Sequence, residues 1–373
     1  MNIAEKKVRE TLNTSGITIG GNAPCDIQVH DPRFYLRVAL GGSLALGEAY
    51  MDGWWDANQL DVFFATYFKH KNLEEQVSSI VDVVNDVYAR VRNLQRSQKA
   101  FVVGEEHYDV GNDLYRAMLD TRMAYTCGYW KEATTLDQAQ EAKFDLVCRK
   151  IGLKKGQSIL DIGCGWGCFA KFAAEKYGAH VTGVTVSKEQ VDLGMKLCVG
   201  LPVELKLQDY RKVEGLYDHV VSIGVMEHIG YKNHATFMDV VRRSLKDDGL
   251  ALVHTIGNNY STHSFDPWFD KYIFPNAHIP SIAQLAQAME GKFVMEDWHN
   301  FGADYDKTLM AWHENFIAHW PELQQNKKFT ERFKRMWVYY LLFCAGMFRS
   351  RKTQLWQIVL SKQGVPGGYT SVR

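Results

Sequence analysis

The chain carries no surplus of charge. It has 43 Lys and Arg against 43 Asp and Glu in 373 residues, so no global field draws it to nucleic acid or to an anionic membrane. Any such contact must come from a local patch. A long apolar run is also missing. The longest stretch, residues 337–348, is too short to span a bilayer and has the length of a buried helix. The opening MNIAEKKVRE has charges and no apolar core, so no secretory signal is expected. Seven cysteines, odd in number and without framework spacing, argue against a disulfide scaffold and for a reducing cytosol. Cys164 and Cys168 have no neighbouring Cys/His pair to complete a tetrahedron, so no metal site is expected. There is no internal repeat. A soluble, cytoplasmic protein without a nucleic-acid partner is the expectation.

Aromatic residues are plentiful, with 10 Trp, 18 Tyr and 19 Phe. They serve either as core or as the wall of a pocket for a long apolar substrate. The length favours two domains. Residues up to about 67 mix short strand-like pieces (17–19 and 27–29) with Gly and Pro turns. Val77, Val81, Val84, Val87 or Tyr88, and Val91 then recur at three- and four-residue steps, which predicts an amphipathic helix. Its end is basic (Arg90, Arg92, Arg96, Lys99). That run reads as a solvated face, or as a membrane-surface contact if the protein handles lipid. We place a small α+β domain at residues 1–92, a linker at 93–104 and a catalytic domain at 105–373.

After residue 151 strands and helices alternate. Strands are expected at 158–162, 180–186, 203–208, 217–223 and 250–255, with helices at 169–177, 188–197 and 234–245 and an Asp247-Asp248-Gly249 turn. An irregular segment at 258–280 follows. Two further strands, at 293–299 and 354–360, enclose helices at 307–320 and 329–348. Such a series builds a mostly parallel sheet covered on both faces. Ligands collect at the carboxyl ends of its strands.

One of those ends is ILDIGCGWG, residues 159–167. An apolar strand reaches Asp161 and turns through three glycines, where no Cβ blocks a ligand's approach. The helix behind it points its N-terminal amides into the same crevice. The spacing is G-x-G-x-G, not the dinucleotide G-x-G-x-x-G. It resembles the S-adenosylmethionine loop of Rossmann-like methyltransferases, with a plain Gly-rich turn as the bland reading. The fourth strand ends in SIGVMEHIG and the fifth in LVHTIG, which puts Glu227, His228 and His254 at the same edge. His254 alone also reads as a satisfied core histidine. A buried carboxylate such as Glu227 needs a partner. Residues 105–130 lose helical periodicity after Asp120 and read as a lid or wall. Cys127 belongs to that wall, since nothing adjacent would generate its thiolate.

HYDVGNDLYRAMLD, YTCGYW, LDIGCGWG, GVTVSKEQ, MEHIG, LVHTIG, FPNAHIPS, DWHNFGADYDKTLMAW and QLWQIV follow one another between residues 107 and 359. Together they resemble the cyclopropane fatty-acyl phospholipid synthases, and GSLALGEAYMDGWWD resembles that family's amino domain. The mycolic acid cyclopropane synthases resemble the catalytic part only. The likeness implies an α/β, class I methyltransferase domain on a seven-stranded sheet. It implies methylene transfer from S-adenosylmethionine to the cis double bond of phospholipid acyl chains, with bound bicarbonate as base. Carried over to this chain, the bicarbonate ligands are the side chains of Glu227, His254 and Tyr305 with main-chain groups of Cys127 and Ile256. Cys344 walls the acyl site. Gly163, Gly165 and Gly167 face the methionine and ribose, Gln190 contacts the ribose, Thr185 also belongs to the cofactor site, and Asp209 and Tyr210 border the adenine. Tyr125 and Thr126 close over the methionine tail. Tyr125, Tyr129, Trp130, Trp268 and Tyr272 are the aromatic wall. Cys168 and Met226 depart from the family's usual glycine and aromatic. The same likeness implies a homodimer that docks on the inner face of the cytoplasmic membrane, its amino domain presenting lipid through Trp54-Trp55. The alternatives are an S-adenosylmethionine enzyme that stops at a methyl branch or methylates a small molecule, and a catalytically silent lipid-binding or lipid-sensing protein.

Overall fold

The computed structural model describes residues 2–70, 111–263 and 265–373. The helix expected over 77–91, its basic end and the linker at 93–104 lie outside the described residues. Two compact units emerge. The first holds Met1–Arg92, His263–Pro275 and Tyr305–Thr353; the second holds Asn93–Thr262, Asn276–Asp304 and Gln354–Arg373.

The second unit is built on seven strands: β3 (Ser158–Ile162), β4 (His180–Thr185), β5 (Val203–Leu207), β6 (Tyr217–Ile223), β7 (Leu245–Asn258), β8 (Val294–Asn300) and β9 (Thr353–Ser361). Their order is β5-β4-β3-β6-β7-β9-β8. β3 runs parallel to β4 and β6, as β4 does to β5 and β6 to β7, while β8 is antiparallel to β9. Side chains alternate across the sheet with period two. Ile159, Val181, Val221, Leu252 and Val359 pack under the Leu136–Lys150 and Cys168–Tyr177 helices. Leu160, Ile162, Val220, Val253 and Ile358 pack under His234–Ser244 and Ile282–Met289. Both faces are therefore apolar, as a covered parallel sheet requires.

Several elements differ from the sequence expectation. The Asp247–Gly249 turn lies inside β7, where it forms a bulge. Tyr217 pairs with Leu245 but His219 with Leu250, so residues 246–249 loop out opposite Asp218, and Lys246 pairs with that acid at 2.7 Å. The segment 258–280 contains a helix, Pro267–Tyr272, started by Asp266 accepting from the N–H groups of Trp268 and Phe269. The helices Asn112–Met118, Leu136–Lys150 and Ile282–Met289 were likewise not foreseen.

The first unit is mainly helical: Ile3–Thr14, Arg33–Met51 and Leu60–His70, with Pro267–Tyr272, Glu331–Arg349 and residues 305–323 of Ala303–Leu323. Strands β1 (Ile27–Val29) and β2 (Trp55–Ala57) form a small antiparallel pair, and the expected strand at 17–19 reduces to one bridge, Ile19 to Ile27. The chain boundary placed near residue 92 does not close this unit by itself. Phe64 meets Phe343 at 4.7 Å and Tyr339 at 5.1 Å between ring centres, and a Cβ on Gly346 would fall 2.4 Å from the Phe64 Cβ. Gly47 is equally constrained, since a Cβ on it would fall 2.3 Å from the Trp268 ring. Trp55 is fully buried against Tyr50 and Phe63, so it is core and not a lipid contact. Trp54 lies under the guanidinium groups of Arg33 and Arg37. Among the described residues no helix is long and apolar enough to cross a membrane.

Candidate active site

The loop after β3 has the backbone that its glycines predict. Gly163, Gly165 and Gly167 all have positive φ, at 77°, 55° and 79°, a region costly for residues with a Cβ. A Cβ on Gly163 would strike Val225 at 2.1 Å, whereas one on Gly165 would meet nothing within 4 Å. The first glycine is thus fixed by packing, and the second faces open space. The N–H groups of Gly163 and Cys164 are tied to Val184 O at the end of β4. Below the loop Asp161 is buried, its Oδ2 has no partner, and burial raises its carboxyl to about 7.

Neighbouring strand ends supply further polar groups. Thr185 Oγ1 donates to Gln190 Oε1 at 2.7 Å, and both side chains are buried. Asp209 accepts from the Arg211 N–H and Nε, each at 2.9 Å. Tyr210 is buried against Phe237 with its hydroxyl unpartnered. On the wall, Tyr125 packs on Tyr115 and Tyr115 on Trp166 of the glycine loop. Thr126 Oγ1 accepts from Lys143 at 2.7 Å. The Trp130 N–H donates to Asp304 at 2.7 Å, and Tyr129 packs on Phe301.

The carboxylate lies in the turn after β6, and the imidazole lies on β7, the strand adjacent to β6. Ile223 pairs with His254, and the Gly224 N–H donates to His254 O. Glu227, three residues on, accepts the Ile256 N–H through Oε1 at 2.6 Å, while its Oε2 is buried without a partner. The main-chain N–H of Ile256 is therefore the anchor of this carboxylate. Burial lifts the Glu227 carboxyl to about 7. His254 is fully buried, its Nδ1 lies 3.2 Å from Gln357 Nε2, and its Nε2 has no partner. Burial first, then the charges of Lys143 and Lys150, holds the imidazole well below its ordinary pKa and so neutral. With Nδ1 accepting from Gln357, Nε2 carries the proton and is a donor. One buried acceptor or acid and one buried donor are thus left unsatisfied, an arrangement that calls for a small polar ligand.

A family model described as mycolic acid cyclopropane synthetase matches residues 95–358. The chain belongs to this family. Over 365 residues it is 51% identical to the cyclopropane-fatty-acyl-phospholipid synthase of Escherichia coli K12, covering 98% of this chain and 94% of that one. Among solved structures, the cyclopropane synthase MmaA2 of Mycobacterium tuberculosis superposes with a TM-score of 0.65 at 29% identity, over 73% of this chain and all of that one. The mycolic acid cyclopropane synthase CmaA1, complexed with SAH and CTAB, superposes with a TM-score of 0.63, also at 29% identity and with the same coverage. The class I, S-adenosylmethionine-dependent methyltransferase fold read from the sequence is the fold of this synthetase, and the chain is an enzyme of that class.

Two residues that the resemblance assigns to this synthetase's site fall in the first unit. Tyr305 is buried, stacked on Phe348 at 4.5 Å and edge-on to Trp312. Cys344 is half-buried, and burial pushes its thiol up, against a nucleophilic role. Trp268 and Tyr272 are there too, 5.7 Å apart. Cys127 is fully buried and its Sγ donates to Gly128 O. Sequence reasoning read Asp161 as the acid leading the glycine loop but did not place Gln140, Lys143 or Gln357 in the site. The available signal was a polar pair, Gln140 and Lys143, on the otherwise apolar face of a helical stretch that also contains Leu136, Ala139, Phe144 and Val147.

Proposed function

We propose that this protein transfers a methylene group from S-adenosylmethionine to the cis double bond of unsaturated acyl chains in membrane phospholipids, forming cyclopropane chains with bicarbonate as general base. The observation that carries the reading is the pair of unsatisfied buried groups, Glu227 Oε2 in the turn after β6 and His254 Nε2 on the adjacent β7. Simple methyl transfer to nitrogen or oxygen has no use for such a pair.

The residues fit both absent partners. Gly165 leaves room at the strand end, Gln190 offers an amide beside Thr185, and Asp161 and Tyr210 keep unused polar atoms. The carboxyl of Glu227, which burial keeps protonated to higher pH than an ordinary carboxyl, and the Nε2–H of His254 are the donors that a small anion such as bicarbonate would find. When bound, S-adenosylmethionine supplies an electrophilic methyl group and bicarbonate supplies a base.

The protein's own contribution is positioning and dryness. An olefin is a weak nucleophile, so the reacting carbons must be held in line and close. Attack leaves a carbocation on the acyl chain, which water would capture as an alcohol. Tyr125 and the buried Tyr129 contribute an aromatic wall that excludes water and favours positive charge. Closing the ring takes a proton from the transferred carbon, whose C–H pair becomes the last ring bond. Glu227 and His254 orient the group that takes that proton. Docking on the inner face of the membrane and pairing with a second copy belong to the same proposal and rest on the family likeness.

The test is lipid analysis after incubating purified protein with S-adenosylmethionine, bicarbonate and liposomes of cis-monounsaturated phospholipid. The expected product has gained one CH₂, lost its olefinic protons and acquired cyclopropyl protons. A gain of CH₂ with a methyl branch, or unchanged lipid, refutes the reading.

A further inference from the structure

Lys143 lies on the inward face of the Leu136–Lys150 helix and is fully buried. Its ammonium donates to Thr126 Oγ1 at 2.7 Å and to Gln140 Oε1 at 2.6 Å, while Gln140 Nε2 donates to Thr126 O at 2.7 Å. Among the described residues it makes no ion pair. Asp120, whose charge acts on it, is already occupied by the N–H groups of Ala124 and Arg122. Lys150, the other cation that acts on His254, differs: it is partnered by His299 at 3.1 Å and Asp297 at 3.7 Å.

A buried ammonium held by neutral oxygens and by the face of Phe144, 4.1 Å away, with no counter-charge in contact, is less favourable for folding than an apolar side chain of the same volume. Stability does not account for it, but a ligand's charge does. Thr126 Cγ2 stands 2.9 Å from where a Cβ of Gly224 would be, and the Gly224 N–H bonds His254 O. Lys143 therefore sits directly behind the stretch of wall that meets the end of β6. The Glu227–His254 pair has no full positive charge of its own, since the imidazole is neutral. Burial lowers Lys143 only to about 8, so it is mostly protonated at pH 7.

We propose that Lys143 is a positioning residue for an anion, its unpaired buried charge holding a small carboxylate-like ion such as bicarbonate at Glu227 and His254 across Thr126. This rests on the base reading of that site given above. The structure thereby assigns the helix behind the wall a part in the reaction that its sequence position does not advertise.

Two variants of the full chain separate charge from hydrogen bonding. Lys143→Met removes both, and Lys143→Gln removes the charge but keeps a donor for Thr126. The probe is sodium bicarbonate against sodium chloride at matched ionic strength, read as melting temperature and as ring formation against bicarbonate concentration. Bicarbonate is expected to raise the wild-type melting temperature and to have no such effect in either variant. Half-saturating bicarbonate should rise about tenfold or more in both, with binding of S-adenosylhomocysteine within about threefold of wild type. Both variants responding like wild type, or Met alone losing the response, overturns the role of the charge. Ring formation that depends on bicarbonate equally in all three sinks Lys143 alone. Ring formation and melting that ignore bicarbonate in the wild type sink the base reading, and this inference with it.

Discussion

At the residue scale the site is made of groups that folding alone would not choose. Glu227 and Asp161 are buried carboxyls, both raised by burial to about 7 from an ordinary range of about 4. Between about pH 4 and 7 the native state holds protons that the unfolded chain has released, so these groups favour the native state at low pH and stop doing so as pH rises through 7. Glu227→Gln should therefore be more stable than wild type by about 1–3 kcal/mol at pH 8 and no more stable at pH 4. Denaturant unfolding at the two pH values checks it, and an equal gain at both would show that the carboxyl titrates normally. The same variant should lose turnover by about 10²-fold or more while S-adenosylhomocysteine binds nearly as before. Gly165→Val, by contrast, should bind no S-adenosylhomocysteine in calorimetry, because a β-branched residue at φ 55° both strains the loop and fills its open space. Equal cofactor loss in Glu227→Gln would contradict this division of labour.

At the scale of elements, what the chain pattern reveals depends on how many faces an element buries. Six strands of the large sheet, β3 to β6, β8 and β9, were legible to within a residue or two, and so was the glycine loop; β7 begins five residues before the expected 250 because its bulge was read as a turn. The Leu136–Lys150 helix was not, because its buried face includes Gln140 and Lys143, polar residues satisfied by each other and by the wall segment around Thr126. Close approach between strands was equally invisible. Gly257 of β7 lies under Trp356 of β9, where a Cβ would come 2.0 Å from the indole. Gly257→Ala is expected to cost about 1–3 kcal/mol through overpacking, seen as a lower denaturant midpoint. Adding Trp356→Leu should recover part of that loss, since two residues in contact do not add independently. Strict additivity would mean that the strain lies elsewhere.

At the scale of the whole molecule, the compact units cut across chain order. The amino-terminal aromatics Phe63 and Phe64 share a core with Tyr339 and Phe343, which lie more than two hundred residues later. A fragment of residues 1–92 should therefore lack a closed core and show poor proton dispersion by NMR, whereas a cooperatively folding monomeric fragment would refute this. The sequence by itself determined the strand–helix alternation, the cofactor loop and the family, because period-two apolarity and glycine spacing are local and survive without a partner. The tertiary structure alone decided that Trp55 is core, that Glu227 Oε2 after β6 and His254 Nε2 on β7 are left unsatisfied, and that Lys143 is buried without an ion pair. Those outcomes depend on which side chains meet across long chain separations, and burial, unlike periodicity, is a property of the assembled fold.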